Sequence, residues 1–151
     1  MKIWTIGHST HSFEDLISLL KHYGLEILVD VRRFPSSKKF PHFNQEYLQS
    51  QLPNLEINYI WLGDDLGGFR KGGYVKYMNT EQFKEGLNKL LTIAKSGKTV
   101  IMCAEIVWFR CHRRWIAEQL LMDGYEVIHI IDNKKTYSHK LRKEVQKNNI
   151  K

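Results

Sequence analysis

Residues 25–31 read LEILVDV, a run nearly continuous in apolar residues up to Asp30, and they lead directly into Arg32, Arg33, Phe34 and Pro35. A strand with one face in water alternates polar and apolar side chains. A continuous run suits a strand of a parallel sheet covered on both faces by helices. Working outward, residues 3–6 form a shorter β-favouring run that ends at Gly7, followed by His8-Ser9. Between these two runs, Ser12 and Asp15 have the spacing of a capping box. Phe13, Leu16, Ile17, Leu19 and Leu20 recur at helical spacing, and Gly24 stops the helix.

Downstream, residues 44–52 predict a short helix ended by Pro53, and residues 57–62 (INYIWL) a third strand. A long loop follows, with glycines at 63, 67, 68, 72 and 73. Asn79 and Gln82 are candidate caps for a helix whose apolar face is Phe83, Leu87, Leu90, Leu91 and Ala94. Residues 99–103 (TVIMC) predict the fourth strand. Cys111 or His112 opens a helix running to about Met122, with Trp115, Ile116, Leu120 and Leu121 inward, and residues 125–131 (YEVIHII) predict the fifth strand. Strands alternating with helices imply a βα repeat. The expected fold is therefore α/β: a single-domain three-layer sandwich with a mostly parallel, doubly wound (Rossmann-like) sheet of about five strands. It spans residues 1–132, followed by a basic C-terminal tail over 133–151.

Composition narrows the classes. The 151 residues are 42% hydrophobic and 26% charged, which suits a folded domain rather than disorder. No apolar run approaches the ~20 residues that cross a bilayer, and Met1-Lys2 leads straight into IWTIG without the apolar region of a signal peptide. The expectation is a cytoplasmic protein with no membrane partner. Two cysteines, Cys103 and Cys111, are too few for a disulfide framework and are expected as reduced thiols. Beyond Asn133 stand seven basic residues against one acid, Glu144, so most of the net charge of +7 sits in the tail. Such a tail is either a solvated end or an electrostatic contact to nucleic acid.

Open α/β sheets bind ligands beyond the carboxyl ends of their strands. Those ends carry Gly7-His8-Ser9, Asp30-Val31-Arg32, Gly63-Asp64-Asp65, Cys103-Ala104-Glu105 and Asp132. Cys111-His112-Arg113-Arg114 opens a helix, where unpaired N–H groups and the helix dipole attract anions and favour a thiolate. Cys111 reads as a nucleophile or as a small buried cap. Glu105 reads as a general acid/base or as an ion-pair partner of a nearby arginine. His8 is a second acid/base candidate, with Ser9 supplying an anion cradle. Asp30 either orients a substrate or simply pairs with Arg32, Arg32 and Arg113 are candidates to bind anionic oxygens, and His112 is a further candidate for catalysis or for holding an anion.

Cys103, Cys111 and His112 are also chemically able to bind a soft metal, although Cys-x7-Cys-His is no standard zinc spacing. The loop matches neither the dinucleotide fingerprint nor the Walker pattern. Gly67 and Gly68 permit close backbone approach to a ligand, while Phe69, Tyr74 and Tyr77 either stack on one or pack the loop down. A Cys-x5-Arg phosphate loop fails on count, because Phe109 follows Cys103 at the required distance and Arg110 comes one residue late.

Taken together, GHS after the first strand, Asp30-Val31-Arg32 with Pro35 and Ser37, Leu66-Gly67-Gly68, and CAE followed by CHR resemble the family called domain of unknown function 488. The resemblance covers roughly residues 1–132 and implies a shared site at these motifs without supplying a reaction or a cofactor. Two departures stand out. Lys38 replaces an arginine common in the family, which weakens a bidentate anion clamp. The insert Ile106-Val107-Trp108-Phe109-Arg110 is apolar where the family's is usually polar, and suits a substrate wall, a dimer contact or a lid. The leading expectation is an enzyme, a hydrolase or transferase, acting on a phosphate-bearing substrate such as a nucleotide or nucleic acid. The alternatives are a non-catalytic nucleic-acid binder using the basic tail, or a metal-binding protein; homo-oligomerisation stays open.

Overall fold

The computed structural model describes residues 1–9, 11–36, 41–105 and 111–141. The insert at 106–110, Ser37, Lys38 and most of the basic tail lie outside the described residues. Six strands form one sheet: β1 (Lys2–Gly7), β2 (Ile27–Asp30), β3 (Asn58–Trp61), β4 (Thr99–Cys103), β5 (Glu126–Ile130) and β6 (Thr136–Ser138), in the order β3-β2-β4-β1-β5-β6. The first five are parallel. The expectation of about five strands is short by one: β6 pairs antiparallel to β5 and comes from the segment assigned to the tail. It is three residues long and exposed throughout, so no apolar pattern marks it.

Helices cover both faces. Along β1, β2 and β4 the buried side chains alternate in direction. Ile3, Ile27, Val29 and Ile101 pack with Phe83, Leu87 and Leu90 of α5 (Glu81–Ala94) and Ile116 and Leu120 of α6 (Arg113–Met122). Trp4, Ile6, Leu28, Val100 and Met102 pack with Leu16, Leu19 and Leu20 of α1 (Phe13–His22) and Leu48 of α2 (Gln45–Gln51). Burial on both faces explains the continuous apolar strands.

Local signals set the helix ends. The Ser12 side chain accepts from the Asp15 N–H at 3.0 Å, as the capping-box spacing predicts. The cap of α5 is Thr80, which accepts from Phe83 N–H at 3.2 Å, rather than Asn79 or Gln82. The Gln82 amide instead donates to the Asp64 carbonyl at 3.1 Å. Gly24, with φ of 68°, and Gly124, with φ of 94°, end α1 and α6 in the left-handed region that glycine tolerates best. The glycine-rich segment holds two short helices, α3 (Gly63–Leu66) and α4 (Tyr74–Tyr77), where a loop was expected. No helix among the described residues is long and apolar enough to cross a membrane.

The register brings the strand ends level. Gly7 pairs with Cys103, and Asp30 with Met102, so β1, β4 and β2 finish side by side at the centre of the sheet. Beyond that shared edge lies the candidate site.

Candidate functional site

The Asp30 carboxylate stands at the end of β2 with no exposure to solvent. Its two oxygens accept from Arg32 Nε at 2.8 Å and Nη2 at 2.7 Å, and Tyr59 donates its hydroxyl at 2.5 Å. Arg32 Nη2 also donates to the Phe43 carbonyl at 2.6 Å, and Nη1 lies 3.2 Å from His8 Nε2. A guanidinium only donates, so His8 Nε2 must accept and the ring is neutral. Burial first, and the Arg32 charge second, push His8 down to about 3. Burial opposes the charge on Arg32, but the hydrogen bond and charge of Asp30 prevail and raise its pKa. His8 stacks on Phe43 with ring centroids 4.4 Å apart.

The second cluster lies past β4. Cys103 ends the strand and is buried, while Cys111, just before α6, is half-buried. The two sulfurs are 2.8 Å apart. His112 Nε2 lies 2.8 Å from the Val31 carbonyl, which only accepts, so that nitrogen carries a hydrogen and Nδ1 faces the Cys111 sulfur at 3.5 Å. The Arg113 N–H, in the first turn of α6, donates to the same sulfur at 3.5 Å. The Cys103 thiol is the largest influence holding Cys111 down to about 4; burial works against it, and His112 and the Arg113 N–H add to the lowering. Cys103 moves the other way, raised by burial and by its neighbour's sulfur.

A cavity of about 510 Å³ opens between these clusters. Cys111, His112, Cys103 and Glu105 line one side, and Arg32 and Arg33 another. Phe34, Phe69, Tyr74 and Trp115 supply aromatic walls. Phe34 and Phe69 are 66% and 84% exposed and meet with ring centroids 5.9 Å apart, an unusual display of apolar surface at a cavity mouth. Arg33 ties them: its Nη1 donates to the Phe69 carbonyl at 2.6 Å and its guanidinium lies 5.4 Å from the Phe34 ring centre. Phe69 has a φ of 59°, a strained region for a bulky residue.

The glycines explain how the loop reaches the site. A Cβ on Gly67 would lie 2.7 Å from Arg33 Cα and 2.3 Å from the Gly63 carbonyl, so this residue lets the loop close onto the end of β2. A Cβ on Gly68 would come within 3.1 Å of His112 Nδ1. Gly68 thus leaves the imidazole edge clear.

Beneath α6 runs a second buried polar chain that the sequence reading did not include. Arg113, 1% exposed, donates from Nη2 to the Glu105 carbonyl at 2.9 Å and from Nη1 to Thr5 Oγ1 at 3.4 Å. Thr5 Oγ1 is 2.5 Å from His129 Nδ1, His129 Nε2 is 2.9 Å from His139 Nδ1, and His139 Nε2 is 3.2 Å from Glu118 Oε1. Every contact is satisfied if hydrogens point one way, from Arg113 towards Glu118, with both rings neutral. Burial, with Arg113 next, holds His129 down to about 2. Burial likewise lowers His139, against the pull of Glu118.

Of the residues singled out from the sequence, Arg32, Gly68, Glu105, Cys111 and His112 line the cavity. His8, Asp30 and Arg113 lie behind it as buried supports, and Gly67 shapes the loop. Ser9 N–H donates to the Ala104 carbonyl at 2.9 Å, tying the ends of β1 and β4 together. Glu105 is exposed at the rim. Among the described residues no group of three or more His, Cys, Asp or Glu side chains is disposed to hold a metal ion. Trp115 faces the cavity rather than the core, one turn of α6 beyond His112. Its spacing from His112 was the only signal for that placement.

Fold and site together define a doubly wound α/β protein that carries a thiol–imidazole pair at the ends of its central strands. The chain belongs to the family described as domain of unknown function DUF488, whose model matches residues 12–73 and 69–120. No curated protein matches it.

Proposed function

We propose that this protein is an enzyme, a hydrolase or transferase, acting on a phosphate-bearing substrate, with a nucleotide the best-fitting class. The Cys111 thiolate attacks the electrophilic centre, His112 Nδ1 exchanges protons with that sulfur and with the departing group, and Glu105 serves as acid/base at the rim. Arg32 and Arg33 bind the anionic oxygens. Phe34, Phe69, Tyr74 and Trp115 hold the base by stacking, a role aromatic walls fill for any π-face. His8 and Asp30 act behind the wall as positioning residues for Arg32. Ser9 and Arg113 do the same for the β4 end and the start of α6, and Gly67 and Gly68 let the loop close over the ligand. Lysines of the C-terminal segment would draw a longer polyanion, which extends the reading to nucleic acid. A free nucleophilic thiol suits a reducing compartment such as the cytoplasm.

The observation that carries this reading is the Cys111 sulfur, bordered by His112 Nδ1 at 3.5 Å and by the Arg113 N–H at 3.5 Å, at the wall of a cavity of about 510 Å³. A thiol in that setting is activated for nucleophilic work, while the failed Cys-x5-Arg count sets it apart from the phosphate loops that use a thiolate and an arginine six residues on. The test is a panel of nucleoside monophosphates and diphosphates, followed for thermal stabilisation and for turnover with wild type, Cys111→Ser and Glu105→Gln. The expected outcome is that some members of the panel stabilise all three proteins and that turnover disappears in Cys111→Ser. The reading fails if no nucleotide binds, or if Cys111→Ser turns one over at the wild-type rate.

A further inference from the structure

The Cys111 sulfur faces the cavity, yet a second thiol lies directly behind it, and nucleophilic attack on a phosphate-bearing substrate has no use for that one. The sulfurs are 2.8 Å apart, against ~2.05 Å for a bonded pair, so little movement separates two thiols from one disulfide. The two environments are unequal. Both cysteines line the cavity, but Cys111 is the more accessible of the two and has a helix N–H at 3.5 Å and an imidazole at 3.5 Å. Cys103 is buried at the end of β4, with its sulfur 3.5 Å from the Glu105 carbonyl oxygen. An accessible, activated thiol backed by a buried one is the arrangement of an attacking and a resolving cysteine.

We propose that Cys111 and Cys103 form a dithiol redox couple, in which Cys111 reduces a hydroperoxide admitted to the cavity and Cys103 resolves the product as an intramolecular disulfide. In the first step the Cys111 thiolate attacks the distal peroxide oxygen. An S–O bond forms, the O–O bond breaks, and the departing alkoxide or hydroxide takes a proton from His112 or from water. The product is a Cys111 sulfenic acid. In the second step Cys103 sulfur attacks Cys111 sulfur, the S–S bond forms and the S–O bond breaks. The hydroxide leaves with the Cys103 proton as water. Two thiols have been oxidised by two electrons and one peroxide reduced, and a small dithiol returns the protein to its starting state by exchange. The couple uses the same Cys111 thiolate as the proposed enzyme but requires no phosphate-bearing substrate.

The experiment is to expose the reduced full-length protein to stoichiometric hydrogen peroxide, then count thiols after denaturation and measure the intact mass. The expected result is loss of both thiols, a monomer lighter by two hydrogens with Cys103 and Cys111 in one disulfide-linked peptide pair, and full recovery with dithiothreitol. Cys103→Ser should instead accumulate a Cys111 sulfenic acid that a 1,3-diketone traps, and Cys111→Ser should leave Cys103 unreacted. The proposal is overturned if the wild type keeps Cys103 reduced while Cys111 passes to sulfinic acid, or if the only disulfides formed join two chains. These readouts are independent of nucleotide turnover: a disulfide that forms in a protein inert to every nucleotide removes the phosphate reading and leaves the couple standing, and the reverse outcome removes the couple alone.

Discussion

Two clusters border the cavity, one at the end of β2 and one beyond the end of β4, and they are bonded in opposite ways. At β2, Arg32 is held through Nε and Nη2 by Asp30, through Nη2 by Phe43 and through Nη1 by His8, while Asp30 also accepts from Tyr59. These are charge-assisted bonds in a dry setting, strong when complete and costly when broken. Beyond β4, among the described residues Cys111 has longer contacts at 3.5 Å to His112 and to the Arg113 N–H, and the close approach of Cys103. In the proposed mechanism the first cluster is a fastening and the second supplies the reactive group. On that proposal, residues of one type, polar and at strand ends, divide into those that hold the site's shape and those that do its chemistry.

The most severe way to break the contrast is Asp30→Ala. It strands the Arg32 charge in a site that is 8% exposed, and the expected loss is ~3–5 kcal/mol of unfolding free energy by chemical denaturation. Cys111→Ser in the same assay should stay close to wild type while abolishing reaction with thiol reagents at that position. If the two substitutions destabilise equally, the division between fastening and reactive group is wrong.

Acid should act on the fastening and on the chain beneath α6. His8 and His129 hold no proton in the fold until about pH 3 and about pH 2, whereas unfolded histidine titrates near ~6.5. The unfolded state therefore binds more protons below that value. Stability is complete above ~6.5 and falls with pH through the window down to those folded values, at up to ~1.4 kcal/mol per pH unit for each histidine. Replacing His129 with Gln should flatten the slope, read from denaturant midpoints between neutral and acid pH. An unchanged slope in that variant would remove His129 as a contributor.

Smaller effects sharpen the picture. Tyr59→Phe removes one of the hydrogen bonds to the Asp30 carboxylate and should cost ~1.5–3 kcal/mol, less than Asp30→Ala because Arg32 remains paired. Gly68→Ala should leave stability nearly unchanged but displace His112, since the new Cβ meets Nδ1 at 3.1 Å; the alkylation rate of Cys111 at neutral pH should fall. A rate equal to wild type would mean that the ring accommodates the methyl group without leaving the sulfur.

The fold was legible because Ile27–Asp30 and Thr99–Cys103 are buried on both faces, and a covered parallel sheet makes strands that are nearly continuous in apolar residues. Strand β6 was not legible, since Thr136–Ser138 is short, exposed and set among lysines. The same limit hid α3 and α4, each four residues long in a glycine-rich stretch. At the site, strand-end position announced Asp30, Arg32, Cys103 and Glu105. What position could not announce was bonding: nothing in a linear sequence says that Arg32 commits four of its five N–H donors to Asp30, Phe43 and His8, leaving one on Nη1 for the cavity. The chain from Thr5 through His129 and His139 to Glu118 was invisible for a related reason. Its members come from two strands, a helix and the segment after β6, and pair only through the sheet register that sets Thr5 beside His129.

The central claim is that Cys111 is the reactive thiolate of this site. The most direct measurement is the pH dependence of its alkylation by iodoacetamide, followed peptide by peptide in the folded protein, with Cys103 as the internal comparison. The account predicts that Cys111 reacts at its full rate well below ~8.5, where an ordinary thiol becomes protonated, while Cys103 stays unmodified across the range. A Cys111 rate that falls away on passing below ~8.5, with Cys103 reacting alongside it, would contradict it.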